Sequence, residues 1–106
     1  MAIVEERVYV LHSYCNTKDY FEIYKAEGMR LQTEILGGLI GYHVTEVGEL
    51  NAIVSLWRYD SFEQRQARRA RLAAEPQWQG YLDKVRPMIR EMSNRLLSPV
   101  DLSAGA

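Results

Sequence analysis

Few groups in this chain could do chemistry, and each carries a plain alternative. His43 sits in the middle of "LIGYHVTEV". A strand histidine facing a cavity can act as a general base; otherwise it is a hydrogen-bonded part of the fold. His12 and Cys15 form a lone H-x-x-C. Zinc sites draw three or four ligands, and no second pair follows, so no metal site is expected. Cys15 as a nucleophile would need His12 as its base, and nothing nearby lowers the thiol pKa. The plain reading is a surface histidine and a half-buried thiol. Glu5 and Glu6 are adjacent, so on a strand they point to opposite faces and cannot share one reaction. No P-loop, GxGxxG, GxSxG or HExxH pattern occurs, and no cofactor is expected.

The segment "WRYDSFEQRQARRARL" holds Arg65, Arg68, Arg69 and Arg71. A nucleic-acid patch is a poor reading, because the net charge is −1 and phosphate binders carry a basic excess. At about 100° per residue, with Phe62 as origin, Ala73 falls near 20°, Arg69 near 340°, Arg65 near 300° and Leu72 near 280°. Arg68 falls near 240° and Arg71 near 180°, which assigns both to solvent. Arg65 and Arg69 share the apolar stripe. They either snorkel at its edge, pair with a buried carboxylate, or touch a ligand.

The elements that must position these groups follow from pattern. "IVEERVYVL" (3–11), "LIGYHVTEV" (39–47) and "AIVSLWRY" (52–59) read as strands. "NTKDYFEIYKAEGMRLQTEILGG" reads as a helix capped by Asn16 or Thr17 and stopped at Gly37-Gly38, with Tyr20, Tyr24, Gly28, Leu31 and Ile35 on one stripe. The arginine segment is a second helix, capped by Asp60 or Ser61 with Glu63 or Gln64 completing the box. Pro76 opens a short further helix, and Pro87 ends it. "IREMSNRLLS" (89–98) is a fourth strand, with a helix continuing to Leu97 as the alternative. The order β-α-β-β-α-β predicts an α+β, ferredoxin-like subunit: a four-stranded antiparallel sheet with helices on one face. The whole chain, residues 1–106, reads as one domain, with 99–106 as a flexible tail.

Strands one and three are apolar on both sides. Ile53, Ser55 and Trp57 point one way, Val54 and Leu56 the other; Ile3, Tyr9 and Leu11 oppose Val4, Val8 and Val10. Helices can cover one face only. The expectation is that the uncovered face carries Trp57, Tyr9 and Ile53, and that a second copy of the chain seals it. A homodimer joined through the sheets would then enclose a chamber holding Arg7, Tyr9, Ser55, Trp57 and Glu5. Strand two would add either His43 with Gly41 and Thr45, or Tyr42 with Val44 and Glu46, according to register. Strand four would add Asn94, or Ser93 and Arg95. A mixed chamber of this kind suits a small hydrophobic or aromatic molecule. Another expectation is a cofactor-independent reaction with His43 as base and Arg7 or Asn94 stabilising an enolate-like anion. The third is a structural module with the sheet face used up by dimerisation.

Apolar residues make up 47% of 106 and charged ones 25%, enough for a folded core and inconsistent with disorder. One cysteine rules out an internal disulfide and points to a reducing, cytoplasmic compartment. The first residues, "MAIVEERVYV", do not have the pattern of a secretory signal, and no apolar run is long enough to cross a bilayer.

"LWRYDSFEQRQARRARLAAEPQWQGYLDKVRP", "SNRLLSP" and "GYHVTEVGELNAIVSLW" together resemble the NIPSNAP family over about residues 3 to 99. The resemblance implies a dimeric α+β barrel and suggests that Trp57, Arg65, Arg69, Trp78 and Asn94 fill favoured positions. It implies no particular reaction, since related barrels include cofactor-independent monooxygenases, aldehyde-transforming enzymes and haem enzymes. The chain departs from the family pattern twice. Ser55 stands where many members carry histidine, and "HSYCNTKDY" replaces a Pro-Gly-Lys type of turn.

Overall fold

A computed structural model describes residues 1–103. Residues 104–106 of the expected flexible tail lie outside the described residues. Strand β1 (Ile3–Leu11) leads into helix α1 (Thr17–Ile23), a π-helical turn (Tyr24–Gly28) and helix α2 (Met29–Leu36). Strands β2 (Leu39–Val44) and β3 (Ala52–Tyr59) follow, then helices α3 (Phe62–Ala73) and α4 (Pro76–Val85), a 3₁₀ turn (Arg86–Met88) and strand β4 (Ile89–Leu97). All pairings are antiparallel, in the order β2-β3-β1-β4. This is the ferredoxin-like plan, and 89–97 is a strand rather than a continued helix.

Local chemistry explains the boundaries. The Asn16 side chain accepts the Asp19 backbone N–H at 2.8 Å and starts α1; Ser61 does the same for Gln64 at 3.0 Å and starts α3. Gly37 and Gly38 both have positive φ, and a Cβ at Gly38 would lie 2.0 Å from the Arg58 carbonyl oxygen. Only glycine lets β2 begin so close to β3, where the Arg58 N–H donates to the Gly38 carbonyl at 2.7 Å. Asn51, also at positive φ, donates its side-chain amide to the carbonyls of His12 and Cys15, which ties down the turn after β1.

The register decides which face is covered. Glu5 opposes Trp57, Arg7 opposes Ser55, Tyr9 opposes Ile53, and Tyr42 opposes Ser55 from the other side. Arg65 of α3 bonds to Glu5, and the rings of Phe21 and Tyr24 meet Tyr42, so the helices lie on this face. Trp57, Ile53, Tyr59, Leu11, Leu36, Leu72 and Val85 are buried between the layers. The expectation that Trp57, Tyr9 and Ile53 lie on the uncovered face is therefore corrected. The two-sided apolar pattern is real, but the faces are exchanged. The side away from the helices carries Val4, Val8, Val54 and Leu56, all half-buried, with Leu97 and His43 exposed.

Two helical stripes also differ from a uniform 100° count. In α3 Phe62 is 48% exposed and Ala73 is exposed, while Leu72 is buried. The buried line thus runs through Leu72 and Arg65 and includes Arg68, whose Nη1 donates to the Leu36 carbonyl at 2.9 Å. Arg68 caps the end of α2 rather than pointing to solvent. In the first helical segment the π turn inserts an extra residue per turn, so the phase advances after Gly28. Gln32 and Leu36 turn inward beside Ile35, and Leu31 moves to the edge.

Candidate functional site

The polar centre of the covered face is Glu5, whose side chain is 0% exposed. Arg65 grips it with both arms of its fork: Nε donates to Oε1 at 3.0 Å and Nη2 to Oε2 at 2.8 Å. Arg7 Nη1 and Asn94 Nδ2 each donate to Oε2 at 2.9 Å. Burial pushes the Glu5 pKa up, but the bonds from Arg65 and Asn94 and the charge of Arg7 outweigh it and hold the carboxyl at about 2. Arg65 is thus a buried structural partner. Glu5 is ionised, saturated and unfit as a base.

Beside this cluster a cavity of about 110 Å³ opens between β1, β2 and the start of β4 on one side and the helices on the other. Tyr9, Tyr20, Tyr42, Tyr81 and Trp78 form its aromatic wall, and Leu82, Val85, Ile89 and Met92 its aliphatic one. Gln32, Arg7, Arg69 and Arg86 supply the polar groups. Each has a local cause. The π turn aims Gln32 inward, where its Oε1 accepts Tyr24 Oη at 2.6 Å and Tyr42 Oη at 2.9 Å. Gly28 leaves room for the Tyr81 ring, which would meet a Cβ there at 3.0 Å. Tyr81 then donates to Tyr20 Oη at 3.3 Å and packs against Trp78 with centroids 4.9 Å apart. Arg7 extends along β1, its Nε donating to Tyr9 Oη at 3.1 Å.

The electrostatics of the wall are one-sided. Burial raises the pKa values of Tyr20, Tyr42 and Tyr81, so these phenols stay neutral hydrogen-bonding groups. Burial works against the Arg7 charge, but Tyr9 and Glu5 more than compensate, and its pKa rises. Among the described residues no Asp, Glu, His, Lys or Cys lines the cavity. The arrangement can bind a small molecule and polarise it through its guanidiniums and phenols.

The residues singled out by sequence therefore divide. Arg7, Tyr9, Arg69 and Trp78 line the cavity. Asn94 and Arg65 sit one step away, on Glu5. Ser55 and Trp57 are buried neighbours outside it: Trp57 Nε1 donates to Ser55 Oγ at 3.0 Å, so the serine satisfies the indole. His43 opposes Val54 on the other side of the sheet, exposed and lying over Gly41. Grouping His43 with Arg7, Trp57 and Asn94 is thus corrected by the register, which brings Tyr42 to them instead. The cavity that Arg7 and Tyr42 line lies between the helices and the sheet of one chain. His12 stacks on Tyr14, and among the described residues no group of three His, Cys, Asp or Glu side chains is placed to hold a metal. Gln32, Tyr81 and Arg86 carried no signal in the sequence pattern, and Tyr42 stood there as one of two register alternatives. Tyr42 awaited only the strand register, whereas Gln32 was hidden by the π turn, which no helical period reveals.

The NIPSNAP family model matches residues 4–104. The chain belongs to the NIPSNAP family. A NIPSNAP family protein from Agrobacterium tumefaciens is 36% identical, with all of both chains covered and a TM-score of 0.91. An uncharacterised NIPSNAP-like domain protein from Burkholderia xenovorans is 41% identical over 96% of this chain and 88% of that one, also with a TM-score of 0.91. A cofactor-independent oxygenase from Streptomyces nogalater shares the fold at a TM-score of 0.63 and 8% identity, covering 97% of each chain. At that identity the likeness concerns architecture alone. No curated protein matches the chain. Among the described residues of this NIPSNAP chain, no helix is long and apolar enough to cross a membrane.

Proposed function

We propose that this NIPSNAP protein binds a small, flat, largely apolar molecule in the cavity between its helices and its sheet. The observation that carries this reading is the cavity's aromatic wall around about 110 Å³ of space, with several polar groups pointing inward. An engineered apolar cavity of about 150 Å³ takes up benzene, so the scale fits a single ring. A homodimer joined through Val4, Val8, Val54 and Leu56 accompanies the reading, because these side chains leave an apolar sheet face for a second copy to cover. The single Cys15 fits a cytoplasmic setting. Any oxygenase- or isomerase-type chemistry here would need a base from the bound molecule or from water, since His43 belongs to the other face.

Ligand-detected NMR with benzyl alcohol and indole tests the binding. Saturation transfer is expected with the native protein and lost in Leu82→Trp and Met92→Trp, which fill the cavity and its mouth. Absence of transfer with the native protein would favour a purely structural module, and equal transfer in both variants would place binding outside the cavity.

A further inference from the structure

We infer that the occupant of this cavity is an anion: an aryl or short-chain carboxylate, its apolar body against the tyrosines and its head on Arg69 and Arg7. The inference rests on the binding site proposed above and adds the charge of what fills it. Three guanidiniums, Arg7, Arg69 and Arg86, stand in the wall of a cavity that no acidic side chain lines among the described residues. Arg7 shares Glu5 with Arg65, so one carboxylate already answers two guanidiniums. No carboxylate lies within ion-pair distance of Arg69 or Arg86 among the described residues, and Arg69 is half-buried. A half-buried guanidinium without a counter-charge is costly, and a bound carboxylate removes that cost through the planar two-point fit of the fork. The volume of about 110 Å³ matches one small ring or a chain of a few carbons better than a nucleotide.

Protein-observed titrations with benzoate, the neutral isostere benzamide, benzyl alcohol and inorganic phosphate separate the possibilities. Benzoate is expected to bind at least tenfold more tightly than benzamide. Arg69→Met should bring that ratio close to one while benzamide binding holds, and Arg86→Met should lower it partway. Arg71→Met, on the solvent side of α3, should leave the ratio unchanged. Equal affinity for benzoate and benzamide in the native protein overturns the anionic occupant while leaving the cavity site standing. Phosphate binding as tightly as benzoate overturns the ring-and-carboxylate class in favour of a bare anion site. Binding of none of the probes overturns both readings, and an undiminished ratio in Arg69→Met overturns the role of Arg69.

Discussion

Glu5 shows how one side chain can organise a face. Its two oxygens take four hydrogen bonds, from Arg65 twice, Arg7 and Asn94, while the side chain is wholly buried. Breaking such a cluster on one side leaves charge buried without a partner, which typically costs about 3–5 kcal/mol. Glu5→Gln should therefore unfold roughly 12–40 °C lower, at about 4–8 °C per kcal/mol for a domain of this size. A melting temperature within a few degrees of the native protein would show that the cluster stabilises little. The same carboxyl sets an acid limit. As pH falls, the unfolded chain protonates Glu5 near its ordinary value of 4.5, but the folded chain resists until about 2. Glu5 thus contributes stability that is complete above pH 4.5 and lost toward pH 2, about 3 kcal/mol in all. Urea titrations between those pH values should give a shallower loss in Glu5→Gln than in the native protein. Tyr59, by contrast, makes no hydrogen bond of good geometry with its buried hydroxyl, but the Arg69 guanidinium lies beside it and offsets part of the rise that burial gives its pKa.

At the scale of elements, the π turn between α1 and α2 matters most for the site. Tyr24–Gly28 shifts the helical phase, brings Gln32 under Tyr24 and Tyr42, and places Gly28 beneath the Tyr81 ring. Gly28→Ala tests this directly. Alanine favours a helix by about 0.5–1 kcal/mol, but overpacking against Tyr81 costs about 1–3 kcal/mol. The net expectation is a loss of about 1 kcal/mol, read by thermal melting; a raised melting temperature would mean the ring yields freely. Much at this scale was legible in the sequence. The strands, the caps at Asn16 and Ser61, the Gly37-Gly38 stop and the Pro76 start all follow from local chemistry. The phases of α3 and α2 were not. An arginine that reaches a carbonyl, as Arg68 does, looks solvated to any hydrophobic count, and a π turn leaves no periodic mark.

For the whole molecule, the sequence pattern establishes that both sheet faces are apolar but not which one the helices take. That choice depends on partners distant in sequence: Arg65 finds Glu5 sixty residues away, and Tyr42 finds Gln32 across a turn. Once the choice is made, His43 and Trp57 fall on opposite sides, and the cavity lies inside one chain. In the proposed homodimer the outward face is the surface that joins the two copies. Sedimentation equilibrium at micromolar concentration is expected to give the mass of two chains, and Leu56→Lys, on the outward face, should give one chain with its fold intact. A single-chain mass for the native protein would remove the dimer without touching the cavity.

The location of the site is the central claim, and amide and indole NMR shifts during a benzyl alcohol titration test it most directly. The Trp78 indole and the amides of Tyr20, Gln32 and Tyr81 should move together and saturate, while His43 and Val54 stay still. Saturable shifts at His43 and Val54 with a silent Trp78 would place binding on the outward sheet face and contradict the account.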